Sequence, residues 1–170
     1  EIGFSGSSNN IHVSQSAIYV AQPRYNYDAD DDWEEEVIMM DGDAVAQTDS
    51  TPDKAVEDSD YWTRVTYVDI TDYYGNIDVR DHFDVPGYLE NRYQMDEYDG
   101  HMRIVNHFWA ERWNGQGSST LTIFDVSDPD DIVKTGDLEI DDAGTLMATR
   151  FAQDRGYTIH LPQTVDPLDV

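Results

Sequence analysis

Along most of the chain, apolar residues recur at every second position in short runs, and turn-forming residues separate the runs. The clearest case spans 93–108, where Tyr93, Met95 and Glu97 lead into Asp99-Gly100 and Met102 and Ile104 lead away from it. An Asp-Gly pair between alternating runs signals a tight β-hairpin. The same design returns as Met147 to Ala152, then Gln153-Asp154-Arg155-Gly156, then Tyr157 to Leu161. Aligned on their aspartates, the two hairpins put Met95 with Arg150 and Met102 with Tyr157, both at a step of 55 residues. Behind each hairpin the pattern repeats again: Val65-Thr66-Tyr67-Val68-Asp69-Ile70-Thr71-Asp72 answers to Leu121-Thr122-Ile123-Phe124-Asp125-Val126-Ser127-Asp128 at a step of 56. A period near 55 with four short strands per repeat predicts an all-β chain built as a radial array of small sheets.

Three units follow from that period. Unit one covers 10–85: a hairpin with Ile11 and Val13 before Ser14-Gln15-Ser16 and Ile18 and Val20 after it, a third strand Thr63 to Ile70, and a more polar fourth strand Ile77 to Val85. Val65 and Tyr67 on one face and Thr66 and Val68 on the other suit a strand held between neighbouring sheets. Within unit one an insertion is expected over 24–62, because the block from Asp28 to Glu36 repels itself and cannot be buried. Unit two covers 89–140, with third and fourth strands Thr120 to Val126 and Ile132 to Ile140 joined by Ser127-Asp128-Pro129-Asp130-Asp131. Unit three, 146–170, has its hairpin but only the start of a third strand, and together with Glu1 in the first position this suggests a piece of a longer chain.

Several of these segments resemble a known family. Val85-Pro86-Gly87-Tyr88-Leu89, Met95-Asp96-Glu97-Tyr98-Asp99-Gly100 with Arg103, Arg150-Phe151 with Asp154-Arg155-Gly156-Tyr157, and Val165-Asp166-Pro167-Leu168 are similar to the bacterial and archaeal family of secreted β-propeller-domain proteins, distantly related to WD-type repeats. The resemblance runs from about Ile11 to Val170 without the acidic insertion. It implies four-stranded antiparallel blades, two complete and one truncated, in a β-propeller fragment that belongs to a larger ring of roughly 4 to 8 blades. It also implies display outside the cytoplasm, at the cell surface or beyond, and it implies no particular reaction.

Charge changes the picture of the surface. Asp and Glu number 36 against 10 Lys and Arg, a formal net charge of −26, and Lys54 and Lys134 are the only lysines. Such a surface repels nucleic acid and anionic lipid and suits a protein that stays soluble in brine. There is no cysteine, so disulfides and thiolate metal sites are excluded. Neither a signal peptide nor an apolar run approaching the roughly 18 residues of a membrane span occurs, so membrane attachment would need an anchor outside this sequence.

Candidate chemistry is sparse. Calcium is the best-motivated cofactor, because hard cations take oxygen ligands, and its candidate ligands are Asp28, Asp30, Asp31 and Asp32 in the insertion and Asp128, Asp130 and Asp131 in the turn of unit two. Neither group has the glycine and terminal glutamate of an EF-hand loop, and solvated acidic loops are the plainer reading. His101 and His107 share a strand face but stand ~20 Å apart, too far for a common zinc. Asp96 and Glu97 are adjacent on a strand and point to opposite faces, so they cannot act on one glycosidic bond; Asp96 is expected to bond turn amides or Arg103. Tyr61, Trp62, Tyr73, Tyr74, Trp109 and Trp113 form either an aromatic binding rim or blade packing. The expected function is a scaffold or binding module whose loop faces engage protein or glycan, or other copies or blades of the parent chain. The competing class is a carbohydrate-active hydrolase using a central pocket.

Overall fold

The computed structural model describes residues 10–25, 61–108, 118–140 and 144–161. The first sheet runs β1 (Asn10–Val13), β2 (Ala17–Tyr25), β3 (Tyr61–Asp69) and β4 (Asp78–Pro86) in that spatial order. The second repeats it with β5 (Met95–Tyr98), β6 (His101–Phe108), β7 (Ser118–Asp125) and β8 (Val133–Ile140). β9 (Thr145–Ala152) and β10 (Arg155–Leu161) form a two-stranded sheet. All neighbouring strands are antiparallel, and no α-helix occurs among the described residues.

Turn chemistry sets the registers. Between β5 and β6, Asp99 and Gly100 both have positive φ (51° and 74°), the two-residue turn whose twist matches antiparallel strands. Between β9 and β10 the turn residues are Gln153 and Asp154, and it is Gln153 that takes a positive φ of 54°. This corrects the alignment on aspartates: in backbone terms Gln153 occupies the place of Asp99, and the step between the hairpins is 54, not 55. Met95 therefore corresponds to Thr149, both buried, and the cross-strand pair Asp96–Arg103 to the pair Arg150–Tyr157. One residue of slip would have turned each of these side chains to the other face.

The step of 56 holds in hydrogen bonds as well as in residue type. Asp69 Oδ1 accepts from the Thr71 amide (2.8 Å) and hydroxyl (2.7 Å), and Asp125 Oδ1 accepts from the Ser127 amide (3.0 Å) and hydroxyl (2.6 Å). Three residues on, Asp72 Oδ1 accepts from the Tyr74 amide and Asp128 Oδ1 from the Asp130 amide. Both blades leave their third strand through the same pair of side-chain-closed turns.

The insertion expected over 24–62 lies mostly outside the described residues. At its ends, Arg24 pairs with Trp62 and Tyr25 with Tyr61 in the β2–β3 ladder. The hairpin expected from Tyr93 begins instead at Met95, because residues Arg92–Gln94 form a 3₁₀ turn. Asn91 caps it by accepting from the Tyr93 amide (3.0 Å), while Gln94 Oε1 accepts from the Glu90 and Asn91 amides (2.7 and 3.0 Å). Buried Gln94 also donates to the Val105 carbonyl (2.9 Å), which fixes the turn onto β6.

The two complete sheets stack face to face. Tyr19, Val65, Tyr67, Phe83 and Val85 of the first meet Met95, Met102, Ile104, Phe124 and Val126 of the second in one buried cluster. Phe83 and Phe124 stack with ring centroids 4.2 Å apart, and Tyr67 meets Tyr19 edge to face at 5.2 Å. Burying each such side chain stabilises by about 1.5–3 kcal/mol, so this interface is the main apolar support of the fold. The contact between second and third sheets is more polar. Arg103 lies over the Phe151 ring (4.9 Å), and the Ser119 hydroxyl sits between His107 Nδ1 and His160 Nε2, 3.1 Å from each.

Candidate functional site

The first strands of the three sheets converge on one cavity of about 550 Å³. β1 contributes Ile11, His12 and Val13; the 3₁₀ turn and β5 contribute Arg92, Tyr93, Met95 and Asp96; β9 contributes Thr149, Arg150 and Phe151. The volume lies within the ~300–1,000 Å³ of small-ligand sites. Each sheet presents its leading edge strand there, and the capped 3₁₀ turn carries Arg92 and Tyr93 to its wall.

Its charge is distributed unevenly. Arg103 Nη2 donates to Asp96 Oδ2, and the same guanidinium lies between the rings of Tyr98 (5.0 Å) and Phe151 (4.9 Å). Asp96 is therefore neutralised by a cation that is itself held in place. Glu97 points the other way, accepting from the Tyr19 hydroxyl (2.7 Å) and the Ser16 hydroxyl (3.3 Å) of the first sheet. Burial, with the Glu97 charge beside it, pushes the Tyr19 phenol far up, so it remains a donor. Arg92 donates to the Tyr93 hydroxyl (3.4 Å), lies 5.1 Å from that ring's centroid and lowers that phenol's pKa. Burial holds His12 below the ordinary histidine value, although Asp96 and Glu97 pull it the other way. Among the described residues no carboxylate pairs with Arg92 or Arg150.

The expected site residues fall elsewhere. Asp28, Asp30, Asp31 and Asp32 lie outside the described residues, as do Trp109 and Trp113. In the turn of unit two the carboxylates of Asp128 and Asp130 each have a partner within the protein. Asp130 is bonded by Arg80 of β4 (Nε to Oδ1, 2.8 Å), the Asp128 carboxylate closes its own turn, and the Asp131 amide donates to the Asp128 carbonyl. No group of three or more metal-ligating side chains converges among the described residues. His101 donates from Nδ1–H to the Asp99 carbonyl (2.8 Å) while His107 is buried beside Ser119, so the two are not brought together. The aromatic set divides: Trp62 is buried, Tyr61 stacks on Tyr88 at 5.5 Å, and Tyr73 and Tyr74 form an exposed edge-to-face pair.

Sequence reasoning missed Arg92 and His12 altogether and met Arg150 only as a repeat position and as part of a family motif. The available signal was scarcity: with 10 Lys and Arg against 36 Asp and Glu, each arginine of the chain stands out. No protein of curated function and no solved structure gives a significant match. Residues 2–170 match the family described as Beta propeller domain. Repeated four-stranded antiparallel sheets, a shared turn chemistry at a step of 56 and this match over nearly the whole sequence agree, and the chain belongs to the β-propeller domain family.

Proposed function

We propose that this chain is part of an extracellular or cell-surface propeller that works as a binding module, with its ligand seated where β1, β5 and β9 converge. One observation carries the reading: the cavity holds two arginines that have no carboxylate partner among the described residues, a histidine and the rings of Tyr93 and Phe151, but its described lining has a single carboxylate, Asp96, already bonded to Arg103. Glycoside hydrolysis by the common route needs two carboxylates about 5–9.5 Å apart on either side of one bond. Glu97, the nearest second acid in sequence, is committed to Tyr19 and Ser16 on the opposite face. The site is thus furnished for recognition rather than bond cleavage. The surface location is supported by the family resemblance and by an acidic, lysine-poor composition that favours solubility in salt.

A glycan array and a substrate panel on the full chain that carries these blades test the reading. Saturable binding without turnover is the expected result. Turnover abolished by Asp96→Asn would replace the module with a hydrolase, and labelling of intact cells by an impermeant reagent checks the location.

A further inference from the structure

Charge economy around the cavity carries the reading further. The chain has 36 acidic residues, and most arginines whose surroundings are described have found one: Arg64 holds Asp84, Arg80 holds Asp130, Arg103 holds Asp96 and Arg155 approaches Asp154. Among the described residues Arg92 and Arg150 have no such partner, and both line the same cavity, on different sheets. In a protein with a net charge of −26, two guanidiniums left without carboxylates form a local positive site inside a repulsive field. A second, independent observation lies in the same wall. Thr149 is more than nine-tenths buried, lines the cavity, and its hydroxyl has no partner among the described residues. Buried hydroxyls are normally bonded, so Thr149 has unused hydrogen-bonding capacity at the site.

We propose that this cavity binds an acidic saccharide, its carboxylate held by Arg92 and Arg150, a ring hydroxyl by Thr149, and its apolar ring face by Tyr93. The inference rests on the reading of the cavity as the module's binding site. Guanidinium matches carboxylate geometry with two parallel hydrogen bonds, which a surface lysine would not do. Tyr93 is an exposed ring already oriented by Arg92, and Ile11, Val13, Met95 and Phe151 supply the apolar remainder of the wall. The long-range field disfavours anions, so the site selects a ligand by short-range geometry and admits it best when salt screens the acidic surface.

Titration calorimetry of the full chain with digalacturonate, its dimethyl ester and inorganic phosphate tests this. Digalacturonate is expected to bind at least tenfold more tightly than the ester. Arg150→Gln and Arg92→Gln should each weaken it tenfold or more with an unchanged thermal midpoint, while Arg155→Gln, on exposed β10, leaves it unaltered. Equal binding of acid and ester, or indifference to both arginine changes, overturns the acidic ligand and leaves the module reading standing. Phosphate binding as tightly as digalacturonate overturns the saccharide assignment. If digalacturonate does not bind, the inference fails; the module reading fails with it only if the cavity variants also leave every glycan-array signal unchanged.

Discussion

Arg64 and Asp84 stand opposite each other in the register of β3 and β4 and are joined by two parallel hydrogen bonds, Nε to Oδ1 at 2.9 Å and Nη2 to Oδ2 at 2.8 Å. Their side chains are 2% and 0% exposed. Removing one partner would strand a buried charge, whereas replacing both would not. Arg64→Met is expected to lower stability by ~3–5 kcal/mol, and adding Asp84→Leu to recover most of that loss. Denaturant unfolding of the single and double variants measures it, and a double variant no better than Arg64→Met would contradict the argument.

A second tie joins the blades. Tyr19 on β2 donates to Glu97 on β5 at 2.7 Å across the interface of the two complete sheets. Tyr19→Phe keeps the ring packed on Tyr67 but removes the donor to a half-buried carboxylate. Hydrogen bonds to charged groups contribute about 1.5–3 kcal/mol, and the Ser16 hydroxyl compensates in part, so the expected loss lies near the lower end. A loss as large as that of Tyr19→Ala would mean that the ring had moved.

What could be read before the structure, and what could not, divides by distance along the chain. Alternation and turn residues are local, so the strands around Asp99-Gly100 and the third strands at a step of 56 were legible from residue type alone. The step of 54 between hairpins was not, because Gln153 adopts the left-handed conformation that composition assigns to Asp or Gly. Arg64–Asp84 was hidden for another reason: both lie where consecutive strand residues are buried, 62–68 in β3 and 83–85 in β4, so alternation there does not separate inside from outside. The cavity brings His12, Arg92 and Arg150 together from three units, and no local pattern carries that relation.

Three histidines give the fold a pH dependence. His12, His107 and His160 all have pKa values below 6.5, each chiefly because burial disfavours the imidazolium. The unfolded chain therefore takes up these protons first as pH falls. Stability is fully present above the unfolded value near 6.5 and declines as pH drops below it towards the depressed folded values. The thermal midpoint should fall between about pH 7.5 and about pH 5.5, before the bulk of the carboxylates titrate. His160→Gln, which can still bond Ser119, should flatten the curve. A midpoint that rose over this window would reverse the sign and refute the assignment.

Salt acts on the whole acidic surface. With a net charge of −26, mutual repulsion opposes the compact state, and the screening length falls from ~30 Å at 0.01 M to ~3 Å at 1 M salt. Exposed attractive pairs such as Arg80–Asp130 are screened by the same ions, but solvent-exposed pairs contribute little and few occur among the described residues. Relief of repulsion wins, so the thermal midpoint of the full chain should rise through the molar range of sodium chloride. A flat response would sink the reading of this surface as salt-adapted. Calcium separates specific from general effects at matched ionic strength, because a ligand bound only by the folded state stabilises by about 2.7 kcal/mol at a hundredfold excess over its dissociation constant. The turn Asp128–Asp131 should contribute nothing to such a difference, since Asp130 already has Arg80 as its partner and Asp128 closes the turn. Asp130→Asn is therefore expected to leave the difference between calcium and chelator unchanged, and a calcium response abolished by that substitution would restore the turn as a cation site.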